Sequence, residues 1–111
     1  MAIHDSSRRF SQLVEFAVEP HHQTGLVAAL AEQAERFTQI YPGFISASVQ
    51  ASEDGYRVLN YVQWRSREAC ELACRAVGKD ELDITDLIKR YQARSVTFGT
   101  FHLMHLIESH L

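Results

Sequence analysis

Long apolar runs are missing from this chain: no segment approaches the ~20 consecutive apolar residues that a membrane-spanning helix needs, so no membrane partner is expected. Basic charge is scarce as well. Eleven Lys and Arg stand against 14 Asp and Glu, a net charge of -3, the opposite of the basic footprint that nucleic acid or an anionic membrane surface selects. Cysteine is limited to Cys70 and Cys74, four apart in a stretch of helical periodicity. Two thiols one helical turn apart are poorly placed for a constraining disulfide and lack further metal ligands nearby, so they read as small buried apolar groups of a reduced protein. Histidine is absent between Gln23 and Phe101, and the chain has no glycine-rich phosphate loop, no G-x-S-x-G and no H-E-x-x-H. Nucleotide, serine-hydrolase and zincin chemistry therefore lack support. If the chain is an enzyme, reactivity must lie largely in its substrate. The stretch SSRRF at 6–10 has the look of a twin-arginine export signal, but Glu15 and Glu19 interrupt the apolar run such a signal needs, and a cytoplasmic location is expected.

The residues present are enough for one domain. A chain of 111 residues buries roughly two thirds of its unfolded surface, so neither disulfides nor a structural metal is required. Residues 1–9 are polar and aperiodic and read as a flexible arm; 10–111 read as the single folded domain. From Phe10 to Val18 apolar residues alternate, as in a strand. Pro20 ends that strand, and Thr24 is a suitable N-cap for a helix to about Gln39, with Leu26, Leu30, Ala34 and Phe37 on its apolar stripe. This leaves His21 and His22 in a loop. Pro42 and Gly43 stop the helix. A second strand, Phe44 to Ala51, sets Ile45, Ala47, Val49 and Ala51 against Phe44, Ser46, Ser48 and Gln50. Asp54-Gly55 then marks a hairpin into a third strand, Tyr56 to Trp64. Ser66 caps a second helix with Ala69, Leu72, Ala73 and Ala76 as its stripe, ending at Gly78. A further helical piece, Glu81 to Tyr91, carries Ile84, Leu87, Ile88 and Tyr91, and a long last strand runs from Arg94 to Ile107. Strand, helix, strand, strand, helix, strand is the split βαβ order, so the expected fold is α+β, ferredoxin-like, with a four-stranded antiparallel sheet. Leu59 and Tyr61 on the sheet face without helices suggest that a second copy covers it, giving a homodimer through the sheet face.

The third strand, YRVLNYVQW, carries the most chemistry. Val58, Asn60, Val62 and Trp64 share one face, so an amide and an indole project from an apolar surface roughly 13 Å apart. An asparagine in mid-strand is a poor strand former. It is either satisfied by neighbouring backbone or aimed at a ligand oxygen on which charge develops. Trp64 is either core or an aromatic platform for a planar substrate with an N–H to offer. His102 and His105, three apart on a strand, point to opposite faces and cannot chelate one metal together, though one of them can reach a pocket as a base.

The run YPGFISASVQASEDGYRVLNYVQWRSREA (residues 41–69) resembles the antibiotic biosynthesis monooxygenase domain family, with PGF entering strand two, S-x-D-G at the hairpin, N-Y-x-Q-W, and S-x-E-A opening the next helix. The resemblance implies a dimeric α+β barrel with a pocket between sheet and helices, closest to the anthrone oxygenases, which use O2 on an electron-rich aromatic substrate without metal, flavin or haem. It implies Asn60 as the amide that holds a developing oxyanion and Trp64 as the group that orients the rings. Val62, Phe37 and Cys70, the last standing where that group carries a tyrosine, are the expected substrate contacts. The family's arginine has no clear counterpart, Asp86 and Lys89 lying nearest. Three alternatives remain: a quinol-oxidising monooxygenase, a non-catalytic barrel that binds a small aromatic, and a haem-degrading relative, which requires a helix histidine not expected here.

Overall fold

The computed structural model describes residues 8–36, 38–76 and 84–109. Phe37, residues 1–7 of the expected arm, Gly78 and the start of the third helical piece at 81–83 lie outside them. The elements are β1 (Phe10–Ala17), α1 (Pro20–Arg36), a short 3-10 turn (Thr38–Ile40), β2 (Phe44–Ala51), β3 (Arg57–Trp64), α2 (Arg67–Ala76), α3 (Ile84–Arg90) and β4 (Ser95–His102). The sheet has the order β2-β3-β1-β4, and the three pairings are all antiparallel. This is the ferredoxin-like α+β fold.

Four boundaries differ from the sequence expectation, each for a local reason. First, α1 begins at Pro20 and not at Thr24. Proline is suited to the first helical position because its φ is already helical and its missing N–H is one the helix would leave unbonded anyway. Thr24 therefore lies exposed within the helix, and His21 and His22 stack in its first turn with ring centroids 4.1 Å apart. Second, β2 slips register between Phe44 and Ser46. This β-bulge leaves Ile45 outside the ladder and 39% exposed, so it is Phe44 that joins Ala47 and Val49 on the helix side.

Third, the buried side of α2 is Cys70 and Ala73, with Ala69 packed beside them, while Leu72 is 61% exposed. Cys70 fixes the inward direction, and Leu72 lies about 160° round the helix from it at ~100° per residue. Cys74 is exposed, so only one of the two thiols is a core residue. Fourth, β4 stops at His102, because its partner β1 begins at Phe10, opposite that histidine. One more bond, Leu103 N–H to the Arg9 carbonyl at 2.9 Å, closes the ladder, and 103–109 continue without regular structure.

The helix-facing side of the sheet holds two separate apolar clusters. Phe16, Val18, Leu26, Leu30, Val58 and Leu87 form one. Phe10, Val62, Trp64, Cys70 and Ala73 form the other. The open face is more polar than Leu59 and Tyr61 suggest. Ser46 Oγ donates to Gln63 Oε1, Gln63 Nε2 donates to Tyr61 Oη, and Tyr61 Oη meets Ser11 Oγ, each at 3.1 Å. Exposed apolar side chains gather instead at Phe101 and along the segment after β4, at Met104, Leu106 and Ile107.

Candidate functional site

β3 runs down the middle of the helix-facing surface and links the two clusters, with Val58 in the first and Val62 in the second. Asn60 stands between them, opposite Val14 on β1 and Val49 on β2. Its Oδ1 is buried and has no hydrogen-bond partner among the described residues. A carbonyl oxygen left so costs about 1–3 kcal/mol, and that cost falls on the residue the alternation singles out.

Trp64 is 3% exposed and meets Phe44 edge-on, with centroids 6.0 Å apart at 84°. The bulge at Ile45 is what delivers Phe44 to that side. The indole N–H is already engaged, donating to Gln12 Oε1 at 2.9 Å. Trp64 thus offers an aromatic wall, its one donor held by the protein. Val62 and Cys70 pack in the same cluster as Trp64, so three of the expected contacts come together, with Asn60 at their edge. Phe37 lies outside the described residues.

Burial, with Cys74 close by as a lesser cause, pushes the Cys70 thiol up to about 12, so it is a neutral apolar contact and neither nucleophile nor metal ligand. Among the described residues no group of three or more His, Cys, Asp or Glu is placed to hold a metal ion.

Three polar residues near this surface escape the sequence reading or are left open by it. Gln12 sits between Phe10 and Val14 on the helix-facing side of β1. There it both accepts from Trp64 and donates Nε2 to Cys74 Sγ at 3.7 Å. The same break in alternation that marks Asn60 marks Gln12. Gln33 follows Leu26 and Leu30 on the inward stripe of α1, and its Oε1 is buried and without a partner among the described residues. His102, at the end of β4 opposite Phe10, touches that ring edge-on at 5.2 Å and keeps a buried Nδ1 likewise without a partner. His105 lies exposed beyond the strand. His21 and His22, helical after all, sit at the hairpin end of α1, where Gly55 approaches Pro20, away from Trp64.

Among the described residues, clefts open elsewhere. One of about 500 Å3 is lined by Ala17, Val18, Asp54, Tyr56, Arg57, Arg94 and Ser95, and one of about 230 Å3 lies over Glu15, Gln50 and Leu59. Neither includes Asn60 or Trp64. Both present exposed, water-facing charge, whereas Asn60 Oδ1 is a desolvated polar atom without a partner among the described residues, which calls for an explanation.

The antibiotic biosynthesis monooxygenase family model matches residues 9–75. The chain belongs to that family. Tetracenomycin-F1 monooxygenase of Streptomyces glaucescens is 40% identical over 57 residues, which are 51% of this chain and 51% of that protein, so the match spans about half of each. The monooxygenase from the gene ActVA-Orf6 of Streptomyces coelicolor, solved with nanaomycin D, shares 25% identity over 95% of this chain and 96% of its own, with a TM-score of 0.76. SnoaB of Streptomyces nogalater, a cofactor-independent oxygenase, has the same fold at 15% identity, covering 92% and 99% of the two chains with a TM-score of 0.65. So does a protein of unknown function from Bacteroides thetaiotaomicron, at 12% identity and a TM-score of 0.68 over 87% and 99%. A shared fold alone does not fix the reaction.

Proposed function

We propose that this chain is a cofactor-independent monooxygenase acting with O2 on an electron-rich, anthrone- or quinol-like aromatic held in the seam between the two clusters. The observation that carries the reading is the buried, unbonded Oδ1 of Asn60 on the same strand face as the aromatic ring of Trp64, in a family whose relatives include tetracenomycin-F1 monooxygenase.

A half-turn of the Asn60 amide exchanges its oxygen and nitrogen in nearly the same space. The Nδ2–H then donates to the substrate oxygen on which charge grows as a ring CH2 proton leaves. His102, on the same sheet face with a buried Nδ1 unbonded among the described residues, is the group we assign to receive that proton. The carbanion passes one electron to O2, and the resulting radical pair joins to a peroxide anion. That anion takes up a proton, and loss of water with the second C–H proton leaves a carbonyl. The balance is CH2 plus O2 giving C=O plus H2O. Val62, Cys70 and Trp64 exclude water from the charged intermediate, which strengthens the Asn60 hydrogen bond.

The working form is a cytoplasmic homodimer through the open sheet face and the segment after β4, supported by exposed Phe101, Met104, Leu106 and Ile107. Oxygen uptake by metal-free protein with anthrone or a hydroquinone tests the reaction. Asn60→Ala is expected to lower kcat about 10- to 1000-fold with little rise in KM, because the oxyanion forms only on the way to the transition state. No uptake above the uncatalysed rate over a panel of such substrates would favour an aromatic-binding module without turnover. A stoichiometric Soret shift on hemin titration would revive the haem reading.

A further inference from the structure

Gln33 is a long polar side chain on the inward stripe of α1, one turn beyond Leu30, and among the described residues its Oε1 is buried without a hydrogen-bond partner. α1 packs over both β2 and β3. Gln23 Nε2 donates to the Arg57 carbonyl at 3.0 Å, which sets one end of the scale. Ten residues of helix advance ~15 Å, and Asn60 and Val62 lie ~10 and ~16 Å beyond Arg57 along β3. Gln33 therefore lies at about the level of Asn60 along the strand direction, on the helix layer that covers β2 and β3. The helix and the sheet it covers thus each carry a desolvated amide oxygen at the same level, each costing about 1–3 kcal/mol if left alone.

We propose that Gln33 is a second polar anchor of the site, accepting a hydrogen bond from a free phenolic hydroxyl at the ring edge opposite the oxygen that Asn60 holds. The inference rests on the seam being the ligand site but not on turnover. A substrate with a hydroxyl there satisfies Gln33; one without it leaves the carbonyl buried and unbonded, so the site discriminates in favour of hydroxylated polycyclic aromatics.

Trp64 is the sole tryptophan of the chain, so quenching of its emission reports occupancy directly. The probes are 2-hydroxyanthraquinone and unsubstituted 9,10-anthraquinone, titrated below the pKa of the phenol. The native protein is expected to bind the hydroxylated probe about tenfold more tightly, the worth of ~1.4 kcal/mol. Gln33→Leu should abolish that preference while leaving the Kd of plain anthraquinone unchanged, and Gln33→Glu, which keeps an acceptor oxygen, should retain it. Equal weakening of both probes by Gln33→Leu, or no preference in the native protein, overturns the role of Gln33 and leaves the seam as the site. Failure of both probes to quench Trp64 removes the site reading itself, and this inference with it.

Discussion

Replacing Asn60 by leucine should make the protein more stable and less active at once. Core substitutions usually cost stability, because they open cavities or bury unpaired polar groups. Here the polar group is already buried and unpaired: Oδ1 of Asn60 is sealed between Val58 and Val62 with Val14 and Val49 on either side. Leucine has a similar branched shape, removes a desolvation cost of about 1–3 kcal/mol and adds an apolar contact at the join of the two clusters. Some of that gain is offset by fit, since insertion of a methyl group into a packed site costs up to ~1–3 kcal/mol. A net gain of about 1 kcal/mol is expected, worth roughly 4 °C in Tm for a domain of this size. Thermal unfolding followed by circular dichroism, at one fixed protein concentration so that self-association does not move the midpoint, reads the first effect; oxygen uptake reads the second. A Tm lowered by several degrees would show that the amide is satisfied in solution, and the assignment of Asn60 as a preorganised functional group would fall with it. The opposition of signs is the expected mark of a residue kept for chemistry at the expense of stability.

Gln12→Leu should leave the Trp64 N–H buried without its acceptor and lower stability by about 1–3 kcal/mol, seen as an earlier urea midpoint; an unmoved midpoint would mean that water takes over the bond. Ser66→Ala removes the Oγ that accepts from the Ala69 N–H at 3.1 Å and should cost ~1 kcal/mol by the same measurement. Iodoacetamide at mildly alkaline pH should label exposed Cys74 and spare Cys70, whose thiol is pushed up to about 12; labelling of both in the native state at equal rates would contradict that burial. Because the folded state holds Cys70 protonated, its contribution is complete below the unfolded thiol range near 9 and is lost as pH rises towards about 12, so stability should decline across that alkaline window.

The order of elements is legible in the sequence because most carry their own period: alternation in 10–17, 44–51 and 57–64, and four-residue spacing in Leu26, Leu30 and Leu87, Tyr91. Sequence and structure part where one local cue competes with another. Pro20 reads as a stop after a strand, yet at a first helical position it is a start. Strict alternation points Ile45 inward, and a bulge, which no single residue announces, hands that direction to Phe44. The extent of β4 is not written in its own residues because a strand ends where its neighbour does, and the limit at Phe10 is a property of the pairing. For the site, Asn60 and Trp64 stand out as exceptions on a strand. Gln33 does not, because a glutamine near the end of an amphipathic helix looks like ordinary boundary polarity until the burial of its oxygen is known.

The turn at Pro42-Gly43 and the opening of α2 are far apart in the family motif but touch in space. Arg65 N–H donates to the Gly43 carbonyl at 2.7 Å. Gly43 has a φ of +87°, and a Cβ built there would collide with the Ala69 Cβ. The two residues therefore behave as a hinge pin and its socket, and enlarging either one would push α2 off the sheet. Next to this pivot, Cys70 and Ala73 are buried in the second cluster, where in the proposed site they would set the width of the seam. A redesign of substrate choice thus has a natural division: positions 70 and 73 can be exchanged for larger or smaller side chains to resize the seam, provided that positions 43 and 69 are left as they are.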